Sequence, residues 1–332
     1  MEQKVLRAGA LVIVSALLFR LLGGIGAEAL NFTLSPGVTS FMIFMQTGRL
    51  VRPADIAFSP EPTLPEETDP PPSTETTLPP EPELPVFSPE DATALKVNCS
   101  FSYTADLPNL VAKPLNWNLT EDGPTVLIVH SHGSESFAPT GEYPEVSPYH
   151  TLDTEHNMVS VGAYVAKLFE DSGISVIHDT AIHDNPSYNA AYNNSRASIQ
   201  AYLQKYPSIR LVLDLHRDSF EDESGNQIVQ TVFSQGNSLA PLMLVVGTDY
   251  GGLEHPEWQE NLALALKLQT QLEQLCPGIC RNINLRSQRF NQDLGGNALL
   301  IEVGASGNTR QEALRAAEVL ANGIISLAHG SK

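Results

Sequence analysis

Residues 125–135 read TVLIVHSHGSE. The first five are β-branched and aliphatic, the length and type of a buried strand. Polar, metal-competent side chains follow at once: His130, His132 and Glu135, with Gly133 among them. A strand that empties into such residues fits an open α/β sheet, whose sites form beyond the carboxyl ends of its strands. The same alternation continues outward. Residues 155–171 place Met158, Val161, Val165, Leu168 and Phe169 on a helical stripe that Gly173 ends. Residues 174–177 and 209–215 read as strands, with a helix at 189–206 between them. Residues 228–233 and 241–246 fit a hairpin or two consecutive strands, and 257–275 a helix. Residues 298–303 form a late strand, and 309–327 a helix with Ala313, Ala317, Leu320, Ile324 and Leu327 on one face. Strands alternating with helices of this length predict an α/β fold, a largely parallel sheet flanked by helices.

Chemistry-bearing residues fall where such a sheet would gather them. His130, His132 and Glu135 follow the first predicted strand, and His216, Arg217 and Asp218 follow the third. Glu302 lies inside the last, and Glu155 in the turn that opens the first helix. Two histidines and a carboxylate facing an open position are the donor set of a catalytic zinc. There is no H-E-x-x-H pair, so the ligands come from distant segments. Each residue also has an ordinary structural reading. His216 could be a core histidine bonded to a carbonyl, and Glu155 an acid favouring a helix N-terminus. Arg217 could pair with Asp214 or Asp218, and Glu302 with Arg217 or Arg286. A carboxylate inside LLIEV is costly to bury unpaired, which makes Glu302 the least ordinary of the set.

The chain has 332 residues and a net charge of −19. That balance excludes a nucleic-acid binder, which needs a basic face for phosphates, and simple adhesion to anionic lipid. Residues 60–91 hold 11 of the 24 prolines and 9 acidic residues, with no Lys or Arg. Proline blocks helix and ladder hydrogen bonds and the carboxylates repel, so this stretch reads as an extended, solvated spacer. Ahead of it, Lys4 and Arg7 precede an apolar run at 8–19 that resumes after Arg20. This fits either a cleaved signal peptide, with Ala27-Glu28-Ala29 as its cleavage site, or an uncleaved signal anchor. Both send the rest of the chain outward. The predicted organisation is a membrane segment at 1–30, a juxtamembrane region and linker at 31–93, and a catalytic domain at 94–332. Of the three cysteines, Cys276 and Cys280 could form a disulfide in an exported domain.

The runs VLIVHSHGSESF, DLHRDS, RFNQDL and LLIEVGASGNT, in this order and spacing over about 95–330, closely resemble the stage II sporulation protein P family. More distantly the pattern is similar to zinc-dependent N-acetylmuramoyl-L-alanine amidases. The resemblance implies a phosphorylase/hydrolase-like α/β domain behind a single-pass anchor in the cell membrane, acting outside the cytoplasm on peptidoglycan at the sporulation septum during engulfment. It implies zinc held by His132, Glu155 and His216, with His130 and Glu135 as alternates. Glu302 becomes the catalytic carboxylate, Arg217 a holder of the developing oxyanion or of a stem-peptide carboxylate, and Asn291, Gln292 and Asp293 residues of the substrate groove. It also implies possible cleavage of stem-peptide cross-links, and a complex with a lytic transglycosylase and a membrane protein. Two other classes stand beside this one: a catalytically silent wall-binding scaffold, and a zinc peptidase acting on other peptides.

Overall fold

The computed structural model describes residues 84–115, 117–140 and 149–329. The predicted membrane segment and most of the predicted linker lie outside these residues. Nine strands and five α-helices are described: β1 (Val97–Cys99), α1 (Leu107–Ala112), β2 (Val126–Val129), α2 (Met158–Asp171), β3 (Val176–His178), α3 (Ala191–Lys205), β4 (Leu211–Asp218), β5 (Val232–Ser234), β6 (Asn237–Leu239), β7 (Leu242–Gly247), α4 (Trp258–Leu275), β8 (Ile283–Arg286), β9 (Ala298–Ala305) and α5 (Arg310–His329). Seven strands form one sheet in the order β1-β8-β7-β9-β4-β2-β3. Every neighbouring pair is parallel except β7 with β9. The largely parallel sheet flanked by helices is therefore as the periodicity predicts. Of the two readings for 228–246, β5 and β6 make a small separate hairpin, while β7 joins the main sheet.

Strand alternation decides what each face buries. On β2, Val126 and Ile128 enter the large core, whereas Leu127 and Val129 enter a smaller cluster with Ile199 of α3. On β4, Leu211, Leu213 and Leu215 face the large core. On β9, Leu299, Ile301 and Val303 do the same. Met158, Val161, Val165 and Phe169 cover that face from α2, joined by α4 and α5. Met158 and Phe169 have no solvent exposure, so truncating either to alanine costs about 2–5 kcal/mol. The opposite parity on β4 and β9 holds Asp214, His216 and Glu302, on the face that α3 overlies.

Helix α2 starts later than its stripe suggests. The Asn157 side chain caps it by accepting from Val159 N at 3.0 Å. Glu155 is thereby left in the exposed turn ahead of the helix. Strand β4 runs longer than predicted and includes His216, Arg217 and Asp218, because β9 continues beside it to Ala305. A 3₁₀ turn at Pro89–Ala94 precedes the predicted domain start, and its Ala92 belongs to the core. Strands β1 and β8 and helix α1 escape the periodicity, being only 3 to 6 residues long. Cys276 and Cys280 are free thiols rather than a disulfide. Cys276 is buried at the end of α4, and the Cys280 amide is held by Glu273 at 2.8 Å.

Candidate active site

The register of β4 on β9 sets His216 directly beside Glu302, and parallel strands about 4.8 Å apart keep two such side chains adjacent. A shift in register between His216 and Asp218 lies just beyond; irregularities of this kind re-aim side chains at strand ends. From β2 the chain turns through residues 131–134, which brings His132 and Glu135 over the same edge. His132 Nδ1 lies 3.9 Å from Glu135 Oε1, and His216 Nδ1 lies 3.6 Å from Glu135 Oε2. The two imidazole centroids are 5.3 Å apart. These groups open into a cleft of about 600 Å³ shared with Glu302, Arg217, His150, Tyr188 and Tyr192. A slightly larger cleft, about 660 Å³, opens at the amino-terminal ends of β4 and β9. It contains no histidine, so the chemistry belongs to the carboxyl edge.

The site is buried and charged. Burial, then the neighbouring His216, lowers His132 to about 4. Burial also opposes charge on His216, but Asp214, with Glu135 and Glu302 behind it, outweighs that and raises it to about 10. Asp214 Oδ1 lies 2.9 Å from His216 Nε2, and Asp214 is itself held by Ser131 through backbone N (2.8 Å) and Oγ (2.5 Å). Burial pushes the carboxyls of Glu135 and Glu302 up, against the pull of His216. Glu302 Oε2 and His132 Nδ1 are sealed from solvent and have no hydrogen-bond partner among the described residues.

An unpaired imidazole nitrogen facing a carboxylate is where a divalent ion fits. Among the described residues no three His, Cys, Asp or Glu side chains already stand close enough to hold one. Two donors each about 2.0–2.1 Å from a tetrahedral zinc are roughly 3.3 Å apart. The 3.6 and 3.9 Å separations exceed this by a few tenths of an ångström. His132, Glu135 and His216 thus fit the group by donor type, while their spacing is wider than a closed metal site.

The remaining expected residues are placed as follows. Glu155 is exposed outside the cleft, its amide on Asp153 Oδ1, while the alternate Glu135 lies between the two imidazoles. The alternate His130 is buried in the core: Nδ1 is 3.0 Å from Leu215 O and Nε2 is 2.9 Å from His178 Nε2. Arg217 lines the cleft, and three of its donors are engaged. Nε donates to Ser136 O (2.9 Å), Nη2 to Tyr149 O (2.8 Å), and its backbone N to Glu135 Oε2 (3.1 Å). Its acidic partner is Glu135 at 3.9 Å. Of its two expected partners, Asp214 faces His216 and Asp218 binds Arg281 at 2.7 Å. Asn291, Gln292 and Asp293 do not line the cleft. Gln292 is buried between Gly247 N and Val245 O, Asp293 pairs with Arg196 and Arg289, and Asn291 donates to Tyr192 O. They brace the turn ahead of β9.

Asp214, Tyr188 and Tyr192 are site residues that spacing did not single out. Asp214 is two residues from His216 on one strand, so alternation alone puts it on the same face. Tyr188 and Tyr192 are four apart, the repeat of one helical face.

Stage II sporulation protein P of Bacillus subtilis (strain 168) is 27% identical over 214 residues, 61% of this chain and 51% of that relative, so the chain spans about half its length. Among solved structures, the N-acetylmuramoyl-L-alanine amidase AmiC2 of Nostoc punctiforme is 15% identical with a TM-score of 0.37, over 62% of this chain and 98% of that one. The amidase Ami1 of Mycobacterium smegmatis is 12% identical with a TM-score of 0.40, over 64% and 100%. The family model described as stage II sporulation protein P (SpoIIP) matches residues 66–325, and this chain belongs to that family.

Proposed function

We propose that this chain is a peptidoglycan hydrolase of sporulation, a zinc-dependent amidase that cleaves the bond between the muramoyl lactyl group and L-alanine. The observation that carries the reading is Glu135 set between the rings of His132 and His216, at 3.9 and 3.6 Å from their Nδ1 atoms, with Glu302 registered beside His216. Those three side chains would hold the ion; zinc bound there would polarise the carbonyl and make water more acidic. Glu302 accepts the proton of the attacking water and returns it to the leaving nitrogen. Its buried, unpaired Oε2 and its raised carboxyl suit both halves of that transfer. Arg217 is a positioning residue that fixes Glu135 through backbone and side chain. The apolar run at 8–27 anchors the chain, with the cleft outside the cytoplasm.

The test is mass spectrometry of peptidoglycan digested by the full chain with zinc supplied, alongside Glu302→Gln. Free stem peptides beginning with L-alanine are expected from the parent. Removing the general base should slow their release about 10²–10⁴-fold. Shortened stem peptides still attached to glycan would reassign the activity to cross-link cleavage. No release from a folded, zinc-loaded chain would overturn the reading in favour of a wall-binding scaffold.

A further inference from the structure

Hydrolysis of an amide places negative charge on the carbonyl oxygen, and a preorganised donor at that point is worth about 10²–10³ in rate. Arg217 also lines the cleft, but its Nε and Nη2 are committed to Ser136 O and Tyr149 O. Two phenols line the same cleft. Tyr188 stands at the rim, 57% exposed. Tyr192, in the first turn of α3, lies deeper. Its ring centroid is 5.4 Å from that of His132 and 6.3 Å from that of His216, nearly parallel to the latter at 11°. Phe290 packs against it at 5.6 Å. Asn291 Nδ2 fixes its backbone carbonyl at 2.8 Å. Among the described residues the Tyr192 hydroxyl has no hydrogen-bond partner, yet it is not sealed from the cleft.

We propose that Tyr192 is a catalytic residue, its hydroxyl donating a hydrogen bond to the scissile carbonyl oxygen as that oxygen gains charge. The inference rests on the hydrolase reading. Water forms a bond to the carbonyl carbon and yields a proton to Glu302, while the C=O electron pair moves onto the oxygen. Tyr192 stabilises that oxygen without transferring its own proton. The pair then returns, the C–N bond breaks, and the leaving nitrogen takes the proton from Glu302. A carboxylic acid and an amine result.

The experiment compares the full chain with Tyr192→Phe on a soluble muropeptide, with zinc supplied. The variant is expected to lose about 10–10³-fold in kcat, with KM, bound zinc per chain and melting temperature unchanged. Replacing residue 192 by 3-fluorotyrosine keeps the shape and sharpens the donor, so kcat should rise while KM stays put. A kcat within threefold of the parent in Tyr192→Phe overturns the assignment, as does a change in KM alone. So does a kcat loss carried by Tyr188→Phe instead, or a kcat indifferent to fluorination. An inactive parent would sink the hydrolase reading and this inference together; an active parent with an active Tyr192→Phe sinks only this inference.

Discussion

Two histidine pairs lie at the carboxyl edge of the sheet, two residues apart along β2 and its exit. His130 and His178 point into the large core beneath α2. Each His130 nitrogen has a partner there, Leu215 O or His178 Nε2. Burial, then His178, lowers His130 to about 3, so it is neutral at physiological pH. His132 and His216 face the cleft instead, with His132 Nδ1 unpartnered among the described residues and a carboxylate between the rings. The same side chain is a packing element where its nitrogens are satisfied and a ligand candidate where one is not. Burial alone does not separate the pairs, because His130, His132 and His216 are all at most 5% exposed.

Paired alanine substitutions test that contrast with the largest effect. His132→Ala is expected to weaken zinc binding by more than about 100-fold, since even outer-sphere partners are worth about 10–100-fold, and to leave the fold intact. His130→Ala is expected to keep its zinc and lose about 1–3 kcal/mol, because a buried carbonyl and His178 lose their partner. Zinc titration against a chelator, combined with thermal melting, reads both. Zinc loss in His130→Ala with none in His132→Ala would reverse the two assignments.

A second change sharpens the core side alone. Gly162 of α2 lies over the His130–His178 contact, and an added Cβ would fall against Nε2 of both rings. Overpacking of that kind costs about 1–3 kcal/mol. Gly162→Ala should therefore lower the melting temperature without changing zinc stoichiometry. An unchanged melting temperature would show that the pair can repack freely.

The smallest effect concerns a third buried histidine. His255 is 1% exposed, and neither ring nitrogen has a hydrogen-bond partner among the described residues. Burial lowers its pKa, against the pull of Asp293. A depressed histidine binds fewer protons folded than unfolded, so its contribution to stability is present above about 6.5 and declines as pH falls below that. His255→Leu should therefore lose less stability than the parent between pH 7 and pH 5, as denaturant unfolding at each pH would show. Parallel losses in both proteins would remove His255 from the account.

Much of the fold was legible because its longer elements carry strong periods. Helices α2, α4 and α5 and strands β2, β4 and β9 each bury a regular face, and hydrophobic patterning is what a sequence displays most directly. The errors have local causes. Glu155 lies in the turn before α2, where it was expected, but Asn157 takes the cap and Glu155 is exposed outside the cleft. Glu135 was visible three residues after His132, but only the turn at 131–134 shows that its carboxylate lies between the imidazoles. Asn291, Gln292 and Asp293 read as groove residues because they are polar and near the last strand. Their hydrogen bonds go instead to Tyr192 O, the end of β7 and two arginines.

By itself the sequence determined the α/β class, the order of the main elements and the presence of His132, His216 and Glu302 at strand ends. Those follow from composition, periodicity and the parity of strand side chains, all of which act over a few residues. Tertiary structure alone decided that β4 and β9 register His216 beside Glu302, that His130 pairs with His178 in the core, and that Tyr192 reaches the cleft. Each is a contact between segments 24 or more residues apart, or a choice of which buried nitrogen finds a partner. Local propensity carries no record of either.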